Sequence, residues 1–113
     1  MNRSQKNNNP LNLRFANQKE AIGQDDKGFA IFPNPMAGWR AGHAQILKDA
    51  ERKATLKQFI FKFAPPNEND TNSYLEFVEN ALDCDGDIYL VNINRFALAG
   101  VMAQFEGYYS EDG

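Results

Sequence analysis

Apolar positions along the chain change their spacing several times, and each spacing predicts a different kind of element. Apolar and polar residues alternate through residues 11–16, and an apolar run returns at residues 29–32 after the turn cluster 23–28. These segments together predict a short strand, a turn and a return strand, which form a small β-hairpin. Apolar residues then recur every three or four positions, which predicts a helix over residues 35–52 with Asn34 as its N-cap.

Three further helices are predicted from the same spacing. Their predicted caps or first residues are, in chain order, Thr55, Asp70 or Thr71, and Asn92 or Asn94. Residues 88–91 are short and apolar and are compatible with a strand or a tucked loop. The faces that we expect to be buried on the last two helices consist of Tyr74, Leu75, Phe77, Val78, Ala81 and Leu82, and of Phe96, Ala97, Val101 and Phe105.

The predicted fold is therefore mainly α (α+β), with one small hairpin near its start. A length of 113 residues with 42% hydrophobic content suits a single domain, residues 1–113, with one core. Residues 1–6 are polar and are expected to be mobile.

Composition excludes several classes of function. The formal net charge of −3 mixes acids and bases, so we predict no nucleic-acid partner. One cysteine, Cys84, and one histidine, His43, cannot supply a structural zinc site, and we predict neither a metal nor a cofactor. No apolar run approaches the ~20 residues that a membrane span requires. The polar, Asn-rich residues 1–9 do not have the pattern of a signal peptide.

The last predicted helix ends in a carboxylate that could do chemistry. Glu106 follows an apolar helix, and Gly107 is the residue type that commonly ends a helix in the left-handed conformation. A glutamate in the last turn faces the negative end of the helix dipole, and burial beside Phe105, Tyr108 and Tyr109 would raise its pKa further. A carboxyl group close to neutrality suits general-acid catalysis. The alternative is that Glu106 is a solvated residue at a helix end.

Two other stretches carry side chains suited to binding a sugar. Residues 7–14 are rich in Asn, whose amides can donate to and accept from sugar hydroxyl and acetamido groups. Residues 63–74 connect a helix end to a helix start that carries Tyr74. The plainer interpretations are a polar loop before a strand, and turn and capping residues with Tyr74 in the core.

Taken in order, these stretches resemble a family of phage and prophage proteins. The residues that carry the resemblance are Asn7-Asn8-Asn9-Pro10-x-Asn12-Leu13-Arg14, Gly28-Phe29-Ala30-x-Phe32-x-x-x-x-x-Gly38-Trp39, Ala64-Pro65-Pro66-x-Glu68-Asn69-Asp70-Thr71-x-x-Tyr74 and Phe105-Glu106-Gly107. Members of this family are often labelled virion structural proteins, and they are similar to the lysozyme-like superfamily of lytic transglycosylases and glucosaminidases. The chain departs from the pattern at Leu11, where relatives usually have Gly.

The order of elements within this resemblance is permuted. In lysozyme-like enzymes the catalytic glutamate ends the first helix and precedes the hairpin. Here the matching helix, residues 98–106, comes last, and the segment that should follow it opens the chain. The resemblance therefore implies a circularly permuted lysozyme-like domain whose two termini lie close together.

The resemblance also implies a reaction, cleavage of the β-1,4 glycosidic bond of peptidoglycan glycan strands. Glu106 would be the catalytic acid, and in a lytic transglycosylase it would later act as the base. A hydrolase of the muramidase type would need a second carboxylate. The residues expected to hold the glycan are Tyr74, Asn8, Asn9, Asn12 and Tyr108. Candidates for the second carboxylate are Glu20, Asp25, Asp26, Glu111 and Asp112.

Two other classes of function stay open. The domain could be a catalytically silent structural or peptidoglycan-binding module of a phage particle, with other virion proteins as partners. An isoelectric point of about 5.1 and the absence of a recognisable second carboxylate favour this alternative. An unrelated helical interaction protein would fit if the termini were far apart. A phage protein of either of the first two kinds would be virion-associated or released to the bacterial cell wall.

Overall fold

The computed structural model describes residues 1–111 and confirms the mainly α (α+β) class. The regular elements are α1 (Arg3–Lys6), β1 (Gly23–Gln24), β2 (Ala30–Ile31), α2 (Pro35–Glu51), α3 (Leu56–Phe63), α4 (Thr71–Leu82), a 3-10 turn (Leu90–Asn92) and α5 (Arg95–Phe105). The chain divides into a first unit, Met1–Ala44 with the described part of Met102–Gly113, and a second unit, Gln45–Val101. Within residues 1–111, every helix is too short or too polar to cross a bilayer.

The predicted hairpin is present, but one of its strands differs from the prediction. β2 pairs antiparallel with β1, so Gly23 and Gln24, which we assigned to the turn, belong to a strand. Residues 11–16 contact β2 through a hydrogen bond from Ala30 N to Leu13 O, at 2.9 Å, and they form no regular strand. The reason is Asn12, whose φ of +52° places it in the left-handed region and interrupts the extended backbone.

The first residues of the chain, which we expected to be mobile, form a capped helix. Asn2 Oδ1 accepts from Gln5 N at 3.1 Å, and Gln5 Oε1 accepts from Asn2 N at 3.2 Å, which is a capping box at the start of α1. The same two side chains also donate to the backbone near the other end of the chain. Their acceptors are the carbonyl oxygens of Gly107, Tyr108 and Ser110. The start of the chain therefore lies against residues 107–110.

Two glycines of α2 allow the Asn-rich loop, residues 7–14, to lie directly on this helix. A Cβ atom on Gly38 would collide with the backbone oxygen of Asn8. One turn later, a Cβ atom on Gly42 would lie 3.1 Å from Leu11 Cδ2. The Leu11 side chain is buried over Gly42. The position at which this chain departs from the family pattern is thus a core position of the first unit.

The second unit is built on α3 and α4, as the helical spacing predicted. Thr55 caps α3 by accepting from Gln58 N at 3.2 Å, and Asp70 caps α4 by accepting from Ser73 N at 3.2 Å. The buried side chains of the two helices are Leu56, Phe59, Ile60, Thr71, Tyr74, Leu75 and Val78. Two predicted core positions, Phe77 and Ala81, are exposed instead, because they lie to one side of the buried stripe of α4.

Residues 88–91 form no regular strand. Tyr89 pairs with Thr55 in an isolated antiparallel bridge, and the 3-10 turn follows at once. α5 then begins after Asn94, whose Oδ1 accepts from Ala97 N at 3.0 Å. Asn94, rather than Asn92, is thus the residue that caps this helix.

The buried face of α5 differs from the predicted one. The residues that point inward are Leu98, Ala99, Met102 and Ala103, whereas Phe96, Ala97 and Phe105 are exposed and Val101 is half-buried. Apolar residues occur on all sides of this helix, so its pattern did not select a face, and the largest side chains are not the buried ones. Glu106 follows the buried Met102 by one helical turn, so it lies on the same side of α5 as the buried residues.

Candidate functional site

Glu106 is half-buried, and a regular helix end fixes its position. The backbone N–H of Tyr108 donates to Ala103 O at 3.0 Å, and that of Gly107 donates to Gln104 O at 3.1 Å. With a φ of +84° at Gly107, these bonds form a Schellman motif in which Glu106 is the C-cap. The predicted helix stop at Gly107 is confirmed, and Glu106 is more enclosed than a solvated helix-end residue would be.

The Asn-rich loop supplies a partner for the Glu106 carboxylate. Asn12 Nδ2 donates to Glu106 Oε1 at 2.9 Å, although the two residues are 94 positions apart in the chain. The left-handed backbone of Asn12, which Asn adopts more readily than other residues with a side chain, turns its amide toward α5. Its neighbours Leu11 and Leu13 are buried and hold the loop in place. The loop therefore fixes one orientation of the carboxyl group.

Three partly exposed rings lie close together beyond this helix end. Tyr108 and Tyr109 follow Gly107 in the chain, Trp39 belongs to α2, and we call these three residues the aromatic group. Tyr108 lies edge-on to Trp39 (centroids 5.6 Å apart, 85° between planes) and to Tyr109 (5.3 Å, 75°). Trp39 and Tyr109 are 6.4 Å apart and inclined by 32°. Edge-to-face contacts of this kind hold rings in fixed relative orientations. Tyr109 remains 58% exposed, and partial burial, followed by the proximity of Tyr108, raises its pKa.

Gln5 and Asn2 position the aromatic group from the other end of the chain. Gln5 Nε2 donates to Tyr108 O at 3.0 Å and to Ser110 O at 2.8 Å, and Asn2 Nδ2 donates to Gly107 O at 2.6 Å. The backbone on both sides of Tyr109 is thus held by α1.

Asn9, which we expected to bind the glycan, serves the fold instead. Its side chain is 0% exposed, and its polar atoms all form hydrogen bonds with the backbone. Asn9 Nδ2 donates to Leu13 O and Ala30 O, at 3.0 and 2.9 Å, and Asn9 Oδ1 accepts from Leu13 N at 2.9 Å. No surface of Asn9 is left for a ligand, so its predicted role in binding is replaced by a structural one.

Asn8 is also used within the first unit. Its Nδ2 donates to Phe32 O at 3.1 Å, and its backbone oxygen is the atom that lies against Gly38. A positive φ of +51° is needed to place it there. The residue thus connects β2 to α2, and its amide nitrogen is committed to that connection.

Tyr74 lies in the core of the second unit. Its side chain is 2% exposed, and its ring is edge-on to Phe63 with the centroids 6.3 Å apart and the planes at 87°. A ring enclosed in this way has no face on which a sugar could stack. The core alternative for Tyr74 therefore replaces the prediction that it lines a cleft.

Among the candidates for a second carboxylate, Glu20 is committed to an ion pair. Its two carboxylate oxygens each accept from Arg40 at 2.7 Å, and this hydrogen bonding lowers the pKa of Glu20. Asp26 and Glu111 are exposed, and Asp112 lies outside the described residues.

Asp25 is a structural carboxylate of the hairpin turn. Partial burial opposes its ionisation, but donors from the backbone N–H groups of Phe29 and Lys27 and from Asn7 outweigh that effect and lower the pKa of Asp25. Asp25 Oδ1 accepts from Lys27 N and Phe29 N at 2.9 Å, and Oδ2 accepts from Asn7 Nδ2 at 2.9 Å. These bonds commit Asp25 to the hairpin turn. Glu106, by contrast, is half-buried at a helix end, two residues before Tyr108 of the aromatic group.

The sequence analysis gave Trp39 no binding role, whereas the structure places it in the aromatic group. The signal that could have found it is the pair Gly38 and Gly42, one turn apart. Small residues at that spacing mark the face of α2 on which another segment lies, which leaves Trp39 on the flank.

Comparison with known proteins connects the chain to a bacteriophage. No protein-family model matches it. The chain is similar to Protein P5 of Pseudoalteromonas phage PM2, with 37% identity over 87 residues, which cover 69% of this chain and 54% of that protein. The chain thus spans about half the length of the phage protein that it matches. This similarity supports a phage origin for the chain.

Proposed function

We propose that this protein cleaves the β-1,4 glycosidic bond of peptidoglycan, with Glu106 as the general acid. The observation that carries the proposal is the hydrogen bond between Asn12 and Glu106. It joins the end of the last helix to the Asn-rich opening of the chain, which are the two stretches that a permuted lysozyme-like domain needs side by side. The contacts of Asn2 and Gln5 with residues 107–110 support the same order of elements.

The chemistry asked of Glu106 is the transfer of one proton in each of two steps. As an acid it protonates the glycosidic oxygen that leaves. As a base it then removes a proton from the attacking hydroxyl, which belongs to the cleaved sugar in a lytic transglycosylase and to water in a hydrolase. Glu20 is hydrogen-bonded to Arg40, and Asp25 is hydrogen-bonded within the hairpin turn. These contacts favour a mechanism that uses one carboxylate. We therefore place the lytic transglycosylase reaction ahead of the muramidase reaction.

The aromatic group is suited to hold the glycan beside this carboxylate. A sugar ring has an apolar face of C–H groups and a polar rim, and aromatic residues with polar edges match that combination. Tyr108 and Tyr109 follow Glu106 by two and three residues, and Trp39 contacts both. In this proposal Tyr108 keeps the binding role expected from the sequence, while Trp39 and Tyr109 replace Asn8, Asn9 and Tyr74.

The test compares the wild-type protein with Glu106→Gln on purified peptidoglycan. We expect muropeptide release to fall by about 100-fold or more, because the amide keeps the shape of the side chain but cannot donate an acidic proton. Glu51→Gln is a matched control, since Glu51 is also a glutamate at a helix end but is exposed and lies in the second unit. Equal release from wild type and Glu106→Gln, or no release from wild type, would overturn the proposal.

The products decide between the two enzymatic variants. A lytic transglycosylase leaves an intramolecular anhydro ring on the cleaved sugar, whereas a hydrolase leaves a reducing end. Mass spectrometry separates the two products, because they differ by one water. Reducing ends alone would indicate that a second carboxylate takes part.

A catalytically silent peptidoglycan-binding module of a phage particle is the second candidate. It is favoured by the partly exposed aromatic group, which could bind a glycan without any turnover, and by the similarity to a phage protein. Retention of the protein on insoluble peptidoglycan without release of muropeptides would support it. Other virion proteins would be its partners in that case, and neither binding nor turnover would indicate a purely structural role.

A further inference from the structure

The amide of Asn12 has one polar atom that the fold does not use. Its Nδ2 donates to Glu106 Oε1 at 2.9 Å. Its Oδ1 is buried and has no hydrogen-bond partner in the part of the chain that the structure describes. A buried acceptor without a partner is rare in proteins and costs stability, so it calls for an explanation.

The two ends of a side-chain amide differ in chemistry but hardly in shape. Nδ2 is a donor and Oδ1 an acceptor, and a half-turn about the Cβ–Cγ bond exchanges them. At Asn2 and Asn9 such a turn would break three hydrogen bonds each. In Asn12 the half-turn would exchange the bond from Nδ2 to Glu106 for one to Oδ1, and no hydrogen bond of Oδ1 would be lost, because this atom has no partner among the described residues.

This freedom matches the two protonation states of a glutamate. An ionised carboxylate can only accept, so it needs the Nδ2 end of the amide. A protonated carboxyl group carries one O–H donor, for which the Oδ1 end is the matching acceptor. The backbone of Asn12 need not move during the exchange, since its N–H stays bonded to Asn9 O at 3.0 Å and the adjacent Leu11 and Leu13 stay buried.

We propose that Asn12 is a positioning residue whose amide holds the Glu106 carboxyl group in the same place in both protonation states, by presenting Nδ2 to the charged form and Oδ1 to the neutral form. The inference rests on the proposed function, because an acid that later acts as a base must keep its position after losing its proton. It also changes the role that the sequence suggested, since Asn12 then acts on Glu106 and not on the glycan.

Several other ionisable groups of the first unit have side-chain partners of their own. Arg3 and Arg14 lie over the ring of Phe29 at 4.0 and 4.4 Å. Four further contacts involve ionisable side chains: Asp25 accepts hydrogen bonds within the hairpin turn, Glu20 pairs with Arg40, the His43 ring lies beside Trp39, and the Tyr108 ring lies beside Tyr109. The experiment therefore follows Glu106 and Asn12 themselves and does not rely on a pH profile of activity.

Nuclear magnetic resonance of the full chain tests the exchange directly. Carboxyl carbon signals report the titration of Glu106, which is assigned by its loss in Glu106→Gln, and amide signals report Asn12, which is assigned by its loss in Asn12→Leu. We expect the Asn12 amide signals to shift with the same midpoint as Glu106 and to stay constant across that range in Glu106→Gln. Asn12 signals that do not change at the Glu106 midpoint would overturn the proposal.

A substitution series adds a second readout. Asn12→Asp keeps the shape and tolerates the left-handed backbone, but it places a carboxylate against Glu106 and should raise the midpoint of Glu106 by on the order of one pH unit. Asn17→Asp is the matched control, because Asn17 has a similar φ of +55° but is exposed and lies outside the Asn-rich loop. An equal response to the two substitutions would contradict the proposal.

Kinetics separate a positioning role from a glycan contact. Asn12→Leu should lower kcat by about tenfold and leave KM nearly unchanged, since the lost interaction acts on the reacting group and not on bound substrate. A rise in KM with unchanged kcat would show that Asn12 binds the glycan and would overturn the inference. If the wild-type protein releases no muropeptides, the proposed function fails, while the coupled titration of Glu106 and Asn12 still decides the inference by itself.

Discussion

The first and second units contain polar side-chain contacts that differ in how far they reach along the chain. In the second unit several of these contacts span three positions, as in the caps formed by Thr55 with Gln58 and by Asp70 with Ser73. Longer ones in that unit span 7 and 13 positions, from Thr71 to Ala64 and from Lys62 to Asp49. In the first unit they act across most of the chain, with Asn2 and Gly107 separated by 105 positions and Asn12 and Glu106 by 94. Local polar contacts end helices, whereas the distant ones hold a loop, a strand and a helix end around one carboxylate.

The location of a polar side chain affects how much stability is lost when it is replaced. A cap can be replaced in part by water, because helix ends in the second unit lie at the surface. Asn7 and Asn9 of the Asn-rich loop are buried, and water cannot replace their amides there. The comparison therefore predicts that polar substitutions cost more in the first unit, and three measurements test it in order of decreasing expected effect.

The largest effect is expected for Asn9→Ala. The substitution removes the partners of Leu13 N, Leu13 O and Ala30 O, and we expect it to lower the free energy of unfolding by about 3 kcal/mol, since each buried backbone group left without a partner costs about 1–3 kcal/mol. Urea unfolding of the full chain measures it. Asn80→Ala is the control, because Asn80 is exposed on α4 and its replacement should change stability by less than about 0.5 kcal/mol. Equal small losses in both variants would remove the basis of the comparison.

A smaller loss, about 1 kcal/mol, is expected for Thr55→Ala in the second unit. The substitution removes the acceptor for Gln58 N at the start of α3 and breaks the capping box. Thr55→Ser keeps the hydroxyl group and should retain most of the stability. The same urea series provides the measurement, and a loss as large as that of Asn9→Ala would show that local and distant polar contacts carry similar weight here.

The smallest effect is expected in the acid stability of the first unit. Asp25 has a pKa below its ordinary value of 3.8, so its contribution to stability is fully present above that value and is lost as the pH falls through the lower pKa of the folded state. Asp25→Asn should therefore make unfolding less dependent on pH below about 4. Asp26→Asn removes the same charge from the same turn and controls for net charge. Acid titrations followed by circular dichroism compare the variants, and an unchanged slope in Asp25→Asn would contradict the assignment.

Predictions from the sequence succeeded where the information was local. Helix α2 has the predicted start, and its end differs by one residue from the predicted 52. The cap Thr55 and the helix stop at Gly107 are confirmed, and Asp70 is the cap of the two candidates Asp70 and Thr71, because each feature depends on residues within one turn. The buried face of α5 was predicted wrongly, because a helix with apolar residues on all sides does not itself indicate which side meets the core.

The candidate site divides in the same way. Glu106 and Gly107 were recognised from residue type and order alone, and Tyr108 from its place beside them. The roles of Asn8, Asn9 and Tyr74 required knowledge of burial, which depends on segments far away in the chain. Trp39 was missed for the same reason, since its exposure depends on the loop that covers Gly38 and Gly42.

By itself, the sequence determined the mainly α class, the start of α2, the cap of α3, and the position of one glutamate at a helix end. These features follow from backbone propensity, capping and periodicity, which act over a few residues. The tertiary structure alone decided which amide of the Asn-rich loop meets Glu106. Four Asn residues stand within six positions there, from Asn7 to Asn12, with the same side chain and different surroundings. The left-handed backbone at Asn12 and the packing of Leu11 on α2 direct the Asn12 amide to the carboxylate. The amides of Asn7, Asn8 and Asn9 form hydrogen bonds within the fold instead.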